Sequence, residues 1–406
     1  MVASSSLGSL PEDLLIDILS RLPVKSLLQC KLVCKECHVI VSSSSFIKKY
    51  FNHDGNLTRL VLYCYDKFCT YSYFPDETTL ERHEVPDNLL LLGEITYFRG
   101  PCHGIFCIYV TKNKFALWNP TTRRLRLIQC YPSYIFDEVG FGMDPLTDDF
   151  KIVLIRSRFG LSPFFAVYTS SNDSWKYLEQ ESLRDSNGLI TDIVSGSNTY
   201  SNGFYYWIKQ NIYVHSTILA FDMHNEIFEE IMMPEIAVEG KALHLLDDSL
   251  ALVSYDPFYG DKRIEIWLMV GKGCWTKFLS VVLPLQCILS YGFWGRNKIL
   301  MEVNINNSAE LMVYRFDSQS TRQPEIDSKC GISEILPIFY EESLLSLKDK
   351  DGIEDFDTRS AEALEFLGYE GPNTKISGRV FREGVVPFGD PWIVGEDYPS
   401  IVDEDG

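Results

Sequence analysis

The sequence predicts a mainly β protein with a small all-α domain at its N-terminus: a three-helix motif, then a six-bladed β-propeller, then an acidic tail. Three observations carry that prediction. Apolar residues in 10–50 recur at helical spacing, an aromatic-centred strand motif repeats six times within 57–347, and residues 348–406 follow neither period. With 406 residues, 46% of them apolar and 13% aromatic, the chain can bury a sizeable core.

Residues 1–9 read as a flexible lead. In "LPEDLLIDILSRLP", Leu14, Leu15, Ile18, Leu19 and Leu22 share one helix face. Pro11 suits a first helical turn, and Glu12 and Asp13 complement the positive end of the helix dipole. Pro23 ends this helix, and Ser26 reads as the cap of a second one bearing Leu27, Leu28, Leu32 and Val33. A third begins near Lys35 and stops at the serine run 42–45. Three helices in a span this short bury little alone, so surplus leucines point to a covering partner.

From residue 57 the period changes to short β runs rich in Tyr, Phe, Ile and Val. Six stretches repeat as strand, polar turn, strand, among them "ALWNPTTRRLRLI", "AVYTSSNDSWKYLE" and "LAFDMHNEIFEEIMMP". Their equivalent aromatics are Tyr73, Trp118, Tyr168, Phe221, Trp267 and Tyr314, spaced by 45, 50, 53, 46 and 47 residues. Further strands lie between them: "GIFCIYV", "DFKIVLIR", "NGFYYWI", "SLALVSY" and "NKILMEV". Four strands per repeat make a propeller blade, and the aromatics read as packing between blades. After "YEESLLSL" the chain becomes acidic and broken by Gly and Pro, a mostly disordered tail in which only "FDTRSAEALEFLG" offers a helix.

Charge is unevenly placed. Residues 10–50 hold 4 acids and 6 bases, 51–340 hold 35 and 25, and 341–406 hold 17 and 6, for −19 overall. Such a surface repels nucleic acid and anionic lipid and suits basic protein partners; it also serves plain solubility. No 18-residue apolar run spans a membrane, the N-terminus does not read as a signal peptide, and eleven unframed cysteines suit a reducing compartment, the cytosol or the nucleus.

The stretch "CKLVCKECHVIV" contains Cys34-Lys35-Glu36-Cys37-His38, a haem-attachment spacing, and Cys30 adds a third thiol. Haem attachment needs an oxidising compartment. Zinc needs ligands converging from different backbone directions, whereas positions 30, 34, 37 and 38 fall along one side of a helix. Packed core thiols are expected, with no metal and no cofactor. The seven histidines form no H-E-x-x-H, Cys102–His103 sits in a glycine-flanked turn, and "DPLTDD" lacks calcium-loop spacing and reads as a hairpin. No catalytic residue is predicted.

The helical phrases "LPEDLLIDILSRLPVKSLL" and "KLVCKECHVIVSSSSFIKKY" resemble the plant F-box, and "VGFGMDPLTDDFKIV", "SNGFYYWI" and "ILAFDMHNEIFEEIMMPE" resemble the F-box-associated (FBA, kelch-like) repeats. "GPCHGIFCI", "LLDDSLALVSYDP" and "YEESLLSL" are most similar to the S-locus F-box branch. The resemblance spans about residues 10–347. It implies a substrate-recognition subunit of a Skp–cullin–F-box ubiquitin ligase, with 10–50 binding a Skp-type adaptor, and through it cullin and a RING protein. Leu10, Pro11, Leu14, Leu15, Ile18, Leu19, Leu22, Pro23, Leu27, Leu28 and Val33 would form the adaptor face. The propeller, 57–347, would hold protein cargo on rim loops. By the S-locus resemblance that cargo is a basic pistil S-ribonuclease met in the pollen tube. A general FBA adaptor for another protein is the alternative, and a propeller enzyme or scaffold capped by the helices is the rival class. Cys37 stands where the family usually has Trp, which predicts a weaker third helix.

Overall fold

The computed structural model describes residues 10–51, 58–64, 67–72, 81–84, 95–110, 114–122, 124–130, 136–156, 164–179, 193–209, 216–236, 240–257, 262–306, 308–324, 335–347 and 356–357. The first of these stretches folds into four helices, not three: α1 (Glu12–Ser20), α2 (Val24–Val33), α3 (Lys35–Ser42) and α4 (Ser44–Phe51). Pro11 and Pro23 are the N-caps of α1 and α2, so Ser26 lies inside α2 instead of capping it. At ψ near 140–148° each proline is extended, and its carbonyl accepts the first helical bonds, from Leu14 and Leu15 or from Ser26 and Leu27. The serine run does not merely end α3. Ser43 is extended, and its Oγ accepts from the Phe46 N–H at 3.2 Å, which caps α4. The four helices close over Leu15, Leu19, Val24, Leu27, Val41, Phe46 and Tyr50.

The β region is a propeller. β1 (Thr58–Cys64), β2 (Lys67–Ser72) and β3 (Glu81–Glu84) begin it. Five sheets of consecutive antiparallel strands follow. The first holds β4 (Ile95–Cys102), β5 (Ile105–Val110), β6 (Lys114–Asn119) and β7 (Arg124–Gln129), and the second β8 (Glu138–Met143), β9 (Phe150–Arg156), β10 (Phe164–Thr169) and β11 (Ser174–Leu178). The third holds β12 (Ile193–Ser201), β13 (Phe204–Lys209), β14 (Thr217–Asp222) and β15 (Ile227–Met232). In the fourth are β16 (Gly240–Leu246), β17 (Ser249–Tyr255), β18 (Arg263–Gly271) and β19 (Cys274–Val282). The fifth comprises β20 (Gln286–Phe293), β21 (Lys298–Ile305), β22 (Ser308–Arg315) and β23 (Ser320–Arg322). β24 (Ile335–Glu341) then returns to pair with β1, so that a further sheet runs β24-β1-β2-β3. The leading strands of successive sheets touch in the order β4, β8, β12, β16, β20, β24 and back to β4.

Apolar clusters straddle neighbouring sheets. One joins β5, β6 and β9, another joins β9, β10 and β13, and others join β13 to β17 and β17 to β21. The repeat aromatics Trp118, Tyr168, Phe221, Trp267 and Tyr314 all lie on the third strand of their sheet; Tyr73 falls outside the described residues. Four of the five are buried, and Trp267 is half-buried under the Lys277 ammonium, 4.5 Å from its ring centre. The leading strand β8 carries glycine where the next sheet presses closest: a Cβ at Gly142 would stand 2.2 Å from the Tyr200 ring, and one at Gly140 2.5 Å from Trp207.

The expected tail helix within 356–368 falls largely outside the described residues. Phe356–Asp357 is instead a short strand, β25, paired with Leu125 and Arg124 of β7.

Gly142→Val must displace Tyr200 and break its hydroxyl bond to the Met143 carbonyl, 2.8 Å long. The expected cost is about 1–3 kcal/mol, read as a lower urea midpoint with an unchanged slope.

Candidate functional site

The helical unit keeps some apolar side chains outside its own core. Leu14 and Ile18 are 52% and 48% exposed along the outer face of α1, and Leu10, just before the Pro11 cap, is 42% exposed. The i to i+4 spacing of Leu14 and Ile18 sets this line, one position out of phase with the buried pair Leu15 and Leu19. Leu32 and Val33 at the end of α2, and Val39 on α3, are also exposed. Between α1 and α3 opens a cleft of about 390 Å³, floored by Leu15 and Ile40 and walled by Leu10 and Val39, with Glu12, Lys35 and Glu36 at its margin.

The residues expected on one docking face therefore separate into three groups. Leu10, Pro11, Leu14, Ile18, Pro23 and Val33 are exposed; Leu22 and Leu28 are half-buried against the helical core; Leu15, Leu19 and Leu27 lie inside it. Leu32 and Val39 join the exposed group without having been expected there. Val39 lies on α3, which starts at Lys35 where the sequence expects a third helix, although positions 30, 34, 37 and 38 read there as one continuous helix side.

That continuity fails at Cys34, which is extended at φ −152° and ψ 160°. The thiols do not line one unbroken helix. Cys34 Sγ accepts the Cys37 N–H at 3.3 Å and so caps α3, Cys30 is half-buried beside the helical core, Cys37 is buried, and His38 is exposed. "Core" holds for Cys37 alone. Burial pushes its thiol up to about 11, and the neighbouring Cys34 adds to the shift. Among the described residues no group of three or more His, Cys, Asp or Glu side chains is placed to hold a metal.

Elsewhere the geometry is structural. Burial holds the Cys102 thiol well above its ordinary range, the opposite of an activated nucleophile. In "DPLTDD", Asp144 Oδ1 accepts from the Leu146 and Thr147 backbone N–H groups, which makes a turn. Burial alone would raise the Asp144 carboxyl; its backbone bonds, His224 at 3.1 Å and Lys151 at 3.5 Å hold it below the carboxylate range instead. Among the described residues no helix is long and apolar enough to cross a membrane.

A four-helix unit with an unpartnered leucine line, followed by a propeller, is the arrangement the family comparisons match. The F-box domain profile fits residues 7–49, and that of the F-box associated beta propeller domain fits 94–347. The chain is an F-box protein. It belongs to the F-box/FBA family of non-catalytic adaptors, so its class of function is substrate adaptor of a Skp–cullin–F-box ubiquitin ligase, with a Skp-type protein bound by the F-box. An F-box/kelch-repeat protein of Arabidopsis thaliana is 25% identical to it over 295 residues, covering 67% of this chain and 79% of that one. The F-box protein CPR1 of the same plant is 23% identical over 73% of this chain and 80% of its own. Among solved structures, TolB from Acinetobacter baumannii aligns with a TM-score of 0.43 at 12% identity over 73% of this chain and 70% of its own. A chain of a nidogen/laminin complex aligns at 0.44 and 13% identity over 70% and 98%. Both scores are too low to carry an argument.

Cys34→Ser places a better cap acceptor at the start of α3, so the F-box should melt at the same or a higher temperature, while Cys34→Ala should cost about 0.5–2 kcal/mol. Alkylation at pH 8, followed by mass spectrometry, should label the exposed Cys274 and spare Cys37, whose thiolate is suppressed by burial.

Proposed function

We propose that the F-box presents Leu10, Leu14, Ile18, Leu32, Val33 and Val39 to the Skp-type adaptor, and that the propeller holds protein cargo on the rim away from the helices. One observation carries the first half: the α1 line stays exposed although the helical core beneath it is complete. Leu10, Leu14 and Ile18 are already about half covered, so completing their burial contributes about half of the roughly 1.5–3 kcal/mol of a full burial each, and the more exposed Leu32, Val33 and Val39 add a larger share against the cost of association. Leu15, Leu19 and Leu27 act indirectly, by holding the helices that display the line.

The second half follows from strand direction. In an antiparallel blade the turns joining strands one to two and three to four emerge on one rim. The helices sit on that rim: Lys48 of α4 bonds Asp148 of the β8–β9 turn at 2.7 Å. The opposite ends of the same strands mark the other rim, which we assign to cargo. In this reading β24-β1-β2-β3 is a sixth blade, residues 57–347 are one cargo domain, and 348–406 is an acidic appendage. The −19 charge favours a basic protein cargo. The S-locus-like phrases narrow this to a pistil ribonuclease met in the cytoplasm of a pollen tube. The ligase then acts by raising the effective concentration of ubiquitin near cargo lysines.

Leu14→Asp with Ile18→Asp should abolish capture of a Skp-type protein while far-ultraviolet circular dichroism stays unchanged; Leu19→Asp should lose both. Retained capture by the double variant would refute the docking face. Association with basic ribonucleases should slow steeply between 0.1 M and 1 M salt, where the screening length falls from about 10 Å to about 3 Å. Salt-independent binding, or a preference for acidic proteins, would remove the electrostatic account of cargo.

A further inference from the structure

The last described stretch before the tail runs from the propeller into the helices. Leu344 is 2% exposed and belongs to the helical core, beside Leu15, Leu19, Leu27 and Phe46. Three residues later, Leu347 is 3% exposed and belongs to the propeller cluster that holds Cys102, Phe115 and Phe141. The strap 343–347 therefore has one apolar anchor in each unit.

Its backbone is clamped between them. Asn119, fully buried at the end of β6, donates through Nδ2 to the carbonyls of Ser343 at 3.1 Å and Leu345 at 3.0 Å. Its Oδ1 accepts from the Thr121 and Thr122 N–H groups, which holds the amide in that orientation. Ser343 N–H donates to Thr121 Oγ1 at 3.2 Å. Gly104, at φ +75°, makes room for the strap: a Cβ there would stand 2.5 Å from Ser343 Cβ and 2.6 Å from the Glu341 carbonyl oxygen. A residue with a side chain would push the strap off its track.

The strap begins two residues after Glu341, the end of β24, whose register partner is Thr58 at the start of β1. Closure of the β24–β1 pairing is what brings 343–347 to Asn119 and Leu344 to the helices. We infer that residues 343–347 are an integral part of the F-box fold, supplied from the far end of the chain, so that the helical unit is complete only in a chain whose propeller has closed. A unit of about forty residues is close to the minimum that folds alone, and it cannot readily spare a core leucine. The adaptor consequence rests on the docking function proposed above: apparent affinity falls by the fraction of chains whose helices are formed. An incomplete chain would thus fail to enter the ligase.

Hydrogen exchange measured on the full chain tests this. Leu344→Ala should speed exchange of amides in 12–51 by roughly 30-fold or more, as large-to-small changes at buried sites do, while amides of β9 and β13 keep their protection. Leu344→Met should stay near the wild type, and Ser346→Asp, at an exposed strap position, should change nothing. Binding of a purified Skp-type protein should weaken in Leu344→Ala and recover in Leu344→Met. Should Leu344→Ala unfold the whole chain, the milder Leu344→Val decides by the same comparison. Unchanged exchange in 12–51 would overturn the inference. A wild-type chain with protected helices that captures no Skp-type protein would instead overturn the docking function and leave the folding dependence standing.

Discussion

The antiparallel pairing of β24 with β1, from Thr58 opposite Glu341 to Cys64 opposite Ile335, joins the two ends of the β region. Without it β1 would present an open edge, and the leading strand between β20 and β4 would be missing from the ring. Each blade buries its faces only against its neighbours, so loss at one position is felt around the circle. The same pairing delivers the strap to Asn119 and Leu344 to the helices. One ladder of backbone bonds thus underlies both the closed propeller and the F-box unit.

Buried charge gives the blades their register. Lys151 Nζ, nearly inaccessible on β9, donates to the Met223 carbonyl at 2.5 Å and to Glu226 at 2.9 Å in the next sheet, with Asp144 at 3.5 Å. Arg99 on β4 reaches the Val139 carbonyl and Glu138 of β8, and Arg126 on β7 donates to Tyr168 and the Ser170 carbonyl of the following sheet. Such pairs add little net stability, since desolvation offsets most of the attraction. Sliding one blade against the next would strand a buried cation, which costs several kcal/mol, so their contribution is to specificity of packing.

For an adaptor, this rigidity has a use. With cargo on the rim proposed for it and a Skp-type protein on the helices, the propeller would set the distance between them, and the Lys48–Asp148 bond and the strap would limit rotation of the F-box on it. A loosely tethered F-box would spread bound cargo over a larger volume and dilute its lysines near ubiquitin.

Local pattern was enough for α1, for the hairpins of strands three and four, and for the apolar second strands, because each depends on residues close in the chain. Period 3.6 in "LLIDILSRL" and period 2 around Trp118, Tyr168 and Phe221 are local properties. Pattern failed where backbone geometry intervened: the extended Cys34 breaks the single helix side on which the thiols were placed, and Ser43 starts a fourth helix where a serine run suggested an end. The leading strand β8 has no legible pattern because its glycines answer to a neighbouring blade, as Gly142 does to Tyr200. The division of the leucines was also out of reach. Leu14 and Leu15 are adjacent and chemically identical, and which one faces solvent depends on where α2, α4 and a leucine some 330 residues away come to rest. Burial is a property of the assembled surface, and only long-range packing creates it.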